Sequence, residues 1–299
     1  MTTPRRNQVD LHTHTARSDG VLGPLELYEQ MRAWGSTLVA ITDHDTLAGA
    51  RELLAAGLGG GAASGPRIVV GVEINTRPDD VAAALPDPAE ALGEQTELHV
   101  LGLGVDSADG TFEALLEEQR SGRRARLEST LRRLDELGLP VRDHLPQVQG
   151  GIEALGRPHV ARALVAAGHA ESVDDAFRRY LEPGGPAYVR RGGVGTRKAI
   201  EAVRSAGGIA ALAHAPWTLA QAAVIDLLTD WGLGGLEAYY PGWDDLLVEQ
   251  MAGMADERGL LATGGSDYHG DSGDYATAQA STWVPPRVAE RLLEALGDA

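Results

Sequence analysis

Short apolar runs recur along this 299-residue chain, and nearly all of them stop at residues able to do chemistry. They are Val9–His14 (VDLHTH), Leu38–Asp45 (LVAITDHD), Arg67–Asn75 (RIVVGVEIN), Leu98–Val105 (LHVLGLGV), Gly208–Ala215 (GIAALAHA), Leu233–Tyr240 (LGGLEAYY) and Gly259–His269 (GLLATGGSDYH). Several are too continuously apolar for a strand with one wet face, which predicts parallel strands buried on both sides. Between them, Gly23–Gly35, Thr196–Gly207, Asp244–Gly259 and Pro286–Gly297 carry apolar residues three and four apart and end at glycine, the pattern of amphipathic helices. Alternating strand and helix marks an α/β chain, a (β/α) barrel or an open parallel sheet. Both architectures collect functional residues where strands finish.

One region breaks the alternation. From Thr111 to Tyr188 the patterns are helical with no buried strand between them: TFEALLEEQRSGRRARLESTLRRLDELG, RPHVARALVAAGH and SVDDAFRRYL. The expected organisation is a catalytic body formed by residues 1–110 and 189–299, with residues 111–188 as a helical insertion contributing to the active-site rim. Ala55–Pro66 and the acidic stretch between Thr76 and Glu97 read as surface loops.

Composition narrows the partners. Twenty-six basic against forty-three acidic residues give a formal charge of -17, which repels long polyanions and makes duplex nucleic acid an unsuitable main partner. Two Phe and five Trp leave little material for an aromatic stacking surface. No cysteine means no disulfide and no thiolate chemistry. The chain shows neither the apolar run of a secretory signal nor a membrane span, so the expected location is the cytoplasm, and no protein partner is inferable.

Nine histidines and several carboxylates supply the chemistry. His12 and His14 are two apart on an expected strand, and so share a face. His44 stands between Asp43 and Asp45, Glu73 closes another apolar run, and Asp267 and His269 repeat the two-residue spacing. Such carboxylates are costly to bury unless paired or bound to metal. Taken singly, His99, His159 and His214 suit an ordinary core or capping role as well as a ligand role; their joint placement at the ends of different runs favours one pocket. Imidazole with carboxylate suits zinc, manganese or iron, and the donors outnumber what one tetrahedral ion needs, so a multinuclear hydrolytic site is expected. His144 and His169 lack this strand-end context and read as polar residues of the insertion.

In order and spacing, DLHTHTARSDG, ITDHD, GVEIN, His99, GRPH, LAHAP, GLEAYY and GSDYHG resemble the PHP (polymerase and histidinol phosphatase) superfamily. The insertion and RRYLEPGGPAYV are similar to its stand-alone phosphoesterases, among them nucleoside 3',5'-bisphosphate phosphatases and 5'-to-3' exoribonucleases. The resemblance implies an α/β fold, specifically a distorted (β/α)7 barrel with a helical insertion, holding two to three divalent ions, Mn, Fe or Zn. It implies His12, His14, Glu73 and Asp267 around one ion, with Glu73 bridging to a second held by His99 and His159. Asp19, His44 and His269 would hold the third. His214 and Arg157 would be catalytic residues beside the substrate phosphate, and Asp43 and Asp45 would orient imidazoles. The chain departs from its relatives where they often have His followed by Pro, here HAP, and where Gly185 replaces a frequent basic residue; Arg190 or Arg191 could supply that charge.

The implied activity is hydrolysis of phosphate monoesters of small nucleotides by a metal-activated hydroxide, nucleoside 3',5'-bisphosphates among the candidates. Alternatives are 5'-to-3' trimming of short RNA and hydrolysis of another small phosphorylated metabolite. The arginine-rich segment Arg120–Arg133 is either a solvated helix face or a source of anion contacts. A noncatalytic scaffold stabilised by metal would need fewer ligands and closed coordination shells.

Overall fold

Each continuous apolar run contributes a strand; His12, His14, His44, His214, Asp267 and His269 lie beyond strand ends, whereas Glu73 and His99 stay within their strands. The structure, a computed structural model, describes residues 8–60, 65–93, 95–146, 155–214, 221–270 and 278–297. In chain order the elements are β1 (Val9–Asp10), α1 (Pro24–Trp34), β2 (Leu38–Ile41), α2 (Ala48–Ala55), β3 (Arg67–Thr76), α3 (Asp79–Ala84), α4 (Pro88–Leu92) and β4 (Leu98–Leu103). Then come α5 (Gly110–Glu136), α6 (Arg157–Ala166), α7 (Val173–Ala176), α8 (Thr196–Ser205), β5 (Ile209–Leu212), α9 (Ala222–Asp230) and β6 (Gly235–Tyr239). The chain ends with α10 (Asp245–Glu257), β7 (Leu261–Gly264), α11 (Ala278–Ser281) and α12 (Pro286–Ala295).

The helix ends follow local chemistry. Glu26 accepts the Gly23 N–H at 2.8 Å at the start of α1, Pro24 occupies its first turn, and Gly35 ends it with φ 82, a conformation glycine adopts without a Cβ penalty. Leu27, Tyr28 and Met31 form its buried stripe. Asp244 caps α10 by accepting from Leu247 N.

Seven strands form one sheet in sequence order, β1 to β7. β1, β2 and β3 pair in parallel, as do β5, β6 and β7. β4 is antiparallel to both neighbours, with Thr76 opposite Leu98 and Gly71 opposite Leu103. This corrects the expectation of parallel strands throughout: the fold is α/β around a curled mixed sheet. The physical cause is that the chain re-enters the sheet at Leu98 beside Thr76, the last residue of β3, instead of at its other end. The acidic stretch between Thr76 and Glu97 is also not the plain loop expected. Asp87 accepts the Glu90 N–H and Pro88 opens α4, while α3 buries Val81. The curl brings the sheet's two ends together: Leu11 N donates to Gly264 O at 3.1 Å and Thr13 bridges to Tyr268. β1 is shorter than the run suggested, stopping at Asp10 before either histidine.

The chain divides into two compact units: residues up to Leu116 together with those from Val194 onward, and Glu117–Gly193. In the first, Val72, Ile74, Val100, Leu101, Leu103 and Leu212 head a core of strand residues sealed by α8, α9, α10 and α12. A smaller cluster packs Leu27, Met31, Val39, Ile41, Leu53 and Tyr268. The second unit has its own core of Leu127, Leu131, Leu134, Val160, Leu164 and Leu181. On α5, Arg120 pairs with Glu117 and Arg126 donates to the Val189 carbonyl, so part of the arginine-rich segment braces its own unit. No helix among the described residues is long and apolar enough to cross a membrane. Ala215 and Pro216 of the HAP motif lie outside the described residues, as do residues 61–64 of the glycine-rich stretch.

Candidate metal centre

Glu73 sits within β3, 1% exposed, with five histidines around its carboxylate. Its Oε2 lies 3.4 Å from His12 Nε2, 3.2 Å from His14 Nε2 and 3.1 Å from His44 Nδ1. Its Oε1 faces the other way, 2.6 Å from His99 Nδ1 and 3.0 Å from His214 Nε2. The alternation of β3 aims this side chain inward, and antiparallel β4 sets His99 opposite Asn75, near the same end.

Asp267 and Asp19 extend the cluster. Asp267 Oδ1 is 3.3 Å from His12 Nε2 and 3.2 Å from His14 Nε2, and its Oδ2 accepts the Tyr240 hydroxyl at 2.8 Å. Asp19 lies 3.2 Å from His269 Nε2 and 3.5 Å from His44 Nε2. Three donor groups result, each with its ligand atoms within 4.8 Å of one another: His14, Asp19, His44 and His269; His12, His14, Glu73 and Asp267; and Glu73, His99 and His214. His14 and Glu73 each belong to two groups.

These residues fit divalent cations. Nε2 of His12 and of His14 and Oδ1 of Asp19 are buried without a hydrogen bond, and the two Nε2 atoms both face Glu73 Oε2 and Asp267 Oδ1 at 3.2–3.4 Å. Acceptors facing acceptors in a buried site are favourable only with positive charge among them. The all-oxygen-and-imidazole donor set suits zinc, manganese or iron.

The titration behaviour follows the same charge pattern. Burial opposes ionisation of Glu73, but His44, His99 and His12 outweigh it and hold its pKa well below the usual range. Asp267 is lowered in the same way by His12 and His269, and Asp19 by His44 and His269. Burial likewise opposes charging of His14, yet the carboxylates of Asp267 and Glu73 beside it lift it to about 10. His12 is raised by Asp267, Glu237 and Glu73 against the same burial.

A second ring of carboxylates holds the donors. Asp43 accepts from Thr15 N at 2.8 Å and from Ser18 Oγ at 2.7 Å, fixing the turn that carries Asp19. Asp10 accepts from Ser266 N at 2.8 Å and Oγ at 2.6 Å, fixing the residue before Asp267; burial pushes Asp10 up to about 6. Asp45, His214 and Asp267 are the non-glycine residues with positive φ among the described residues, and all three lie in or beside the cluster. Backbone strain collects at this site.

The structure thus brings together His12, His14, Asp19, His44, Glu73, His99, Asp267 and His269, and adds His214 as a member of a donor group. His159 and Arg157 belong to the second unit and to none of the three groups. There His159 is buried at the third position of α6, and its Nδ1 accepts the Gly156 N–H at 3.1 Å, which puts the proton of the neutral ring on Nε2. Glu237 and Tyr240 are contacts that sequence reasoning left without a role. The signal for Glu237 was present, a carboxylate inside the apolar run LGGLEAYY, in the same setting that singled out Glu73.

Residues 10–182 match the PHP domain family. A 5'-3' exoribonuclease of Haemophilus influenzae is 32% identical over 269 residues, covering 87% of this chain and 89% of that protein. A 3',5'-nucleoside bisphosphate phosphatase of Chromobacterium violaceum is 31% identical over 266 residues, covering 87% of each. A solved structure from Bifidobacterium adolescentis, assigned as a metal-dependent phosphoesterase, superposes with a TM-score of 0.79 at 29% identity over 98% of both chains.

Proposed function

This chain belongs to the PHP domain family, in its phosphoesterase branch, and on that premise we propose that it is a phosphatase of small nucleotides, with nucleoside 3',5'-bisphosphates as its substrate class. The observation that carries the reading is Glu73, whose two oxygens face separate sets of histidines as a carboxylate shared between cations would. On this reading the curled sheet is the family's distorted (β/α)7 barrel, two to three Mn, Fe or Zn ions occupy the three donor groups, and the cytoplasm is the compartment.

Divalent ions in these groups would neutralise phosphoryl oxygens and acidify water for attack on phosphorus. The chain's own residues prepare that chemistry. Glu73, Asp267 and Asp19 supply the negative charge that retains the cations, while Asp43 and Asp10 lock the turns that carry Asp19 and Asp267. Tyr240 fixes the second oxygen of Asp267, leaving the first for the site.

Small substrates are favoured over long RNA by the formal charge of -17. The similarity to an exoribonuclease supports 5'-to-3' trimming of short RNA as the second reading. The deciding experiment is a kcat/KM series on a nucleoside 3',5'-bisphosphate, a simple mononucleotide and 5'-phosphorylated RNAs of increasing length. Highest efficiency on the bisphosphate is expected. Efficiency that rises with RNA length, with stepwise release of mononucleotides, would replace the first reading by the second.

A further inference from the structure

Glu237 occupies the middle of β6, fully buried, and both of its oxygens are engaged. Oε1 lies 3.1 Å from His12 Nδ1, and Oε2 accepts the backbone N–H of His214 at 2.6 Å. An ionised carboxylate only accepts hydrogen bonds, so the contact with His12 requires the ring proton on Nδ1. The lone pair of the neutral ring is then on Nε2, the atom that faces Glu73 and Asp267 at 3.4 and 3.3 Å without a hydrogen bond.

The second contact acts on backbone. His214 has φ 23, outside the regions an L residue occupies easily, and such a conformation persists only where neighbours impose it. The Glu237 carboxylate holds its amide, and the ring that results points Nε2 at Glu73 Oε1, 3.0 Å away, and at His99 Nδ1, 3.1 Å away. His12 and His214 follow β1 and β5, far apart in sequence, and belong to different donor groups; their rings stack with centroids 5.6 Å apart.

We propose that Glu237 is the positioning residue that prepares both histidines for metal: it selects the nitrogen that His12 presents and imposes the backbone that aims His214. One carboxylate therefore ties two donor groups together. The inference rests on the metal binding of the proposed function and on no particular substrate. Glu237→Gln is the informative change, because the amide oxygen can serve one of the two donors while its NH2 opposes the other.

The test uses the full chain, freed of metal and titrated with zinc against a chelator, together with ¹⁵N spectra of histidine-labelled, zinc-loaded protein. In the wild type, His12 is expected to bind zinc through Nε2 with its proton on Nδ1. Glu237→Gln should weaken zinc binding by roughly 10- to 100-fold and lose that His12 signature. A variant with wild-type zinc affinity, or one merely less stable with the His12 signature intact, would overturn the inference. If Glu237→Gln does not fold, the wild-type spectrum decides alone: zinc on Nδ1 of His12 rejects the role. Absence of zinc uptake by the wild type would sink this inference and the metal reading together. Weakened zinc binding in the variant, with no phosphate-ester turnover by either protein, would uphold Glu237 and reject the proposed function.

Discussion

At the scale of single residues, Glu73 concentrates the most consequence. Glu73→Gln keeps the shape but removes the charge that faces five imidazoles, so metal should be lost and kcat should fall by more than the roughly 10- to 100-fold typical of residues that only orient a ligand. Elemental analysis and turnover of the folded variant check this; full metal content with near-wild-type kcat would refute the bridging role. Asp10 gives a stability test. Its folded pKa of about 6 lies above the ordinary 3.8, so the unfolded chain releases this proton first as pH rises. Stability conferred by Asp10 is therefore greatest below pH 4 and declines through about pH 6, by on the order of 2–3 kcal/mol. Asp10→Asn, metal-free, should lack that decline when unfolding is compared across the window, and parallel profiles would exclude it. Much of this cluster was legible as residue types: His12, His14, His44, Glu73, Asp267 and His269 follow or close apolar runs, and His99 opens one. Glu237 went unread because a carboxylate in mid-strand announces its burial but not its partner.

At the scale of elements, the apolar runs marked the strands and the three-to-four spacing marked α1, α8, α10 and α12. The direction of β4 was not legible, since a buried run reads alike both ways and only the end at which the chain re-enters the sheet decides it. Nor could the sequence show that the last residues before the Asp267 loop press on the chain after β1. Gly265 lies there, and a Cβ on it would overlap the backbone nitrogen and Cβ of His12. Gly265→Ala must push these segments apart, at an expected cost of about 1–3 kcal/mol, with weaker metal retention because His12 moves. Urea unfolding with an unchanged m value measures the first effect, and a variant as stable as the wild type would show that the two segments can yield.

At the scale of the molecule, three donor groups predict more than one divalent ion per chain after chelator-free purification. Chelation should lower Tm by roughly 5 °C or more, because only the folded chain assembles the groups. One ion or fewer, not restored on metal addition, or a Tm indifferent to chelator, would contradict a multinuclear centre. The junction of the sheet's two ends carries a further consequence, one of timing. Asp10 reaches Ser266 across 256 residues, and His14 shares its donor group with Asp267. At roughly 5–20 residues per second of synthesis, His14 leaves the ribosome tens of seconds before Asp267 exists. Through that interval the nascent chain carries His12 and His14 without the Asp267 carboxylate they share, so the two donor groups that contain His14 wait for residues 267–269.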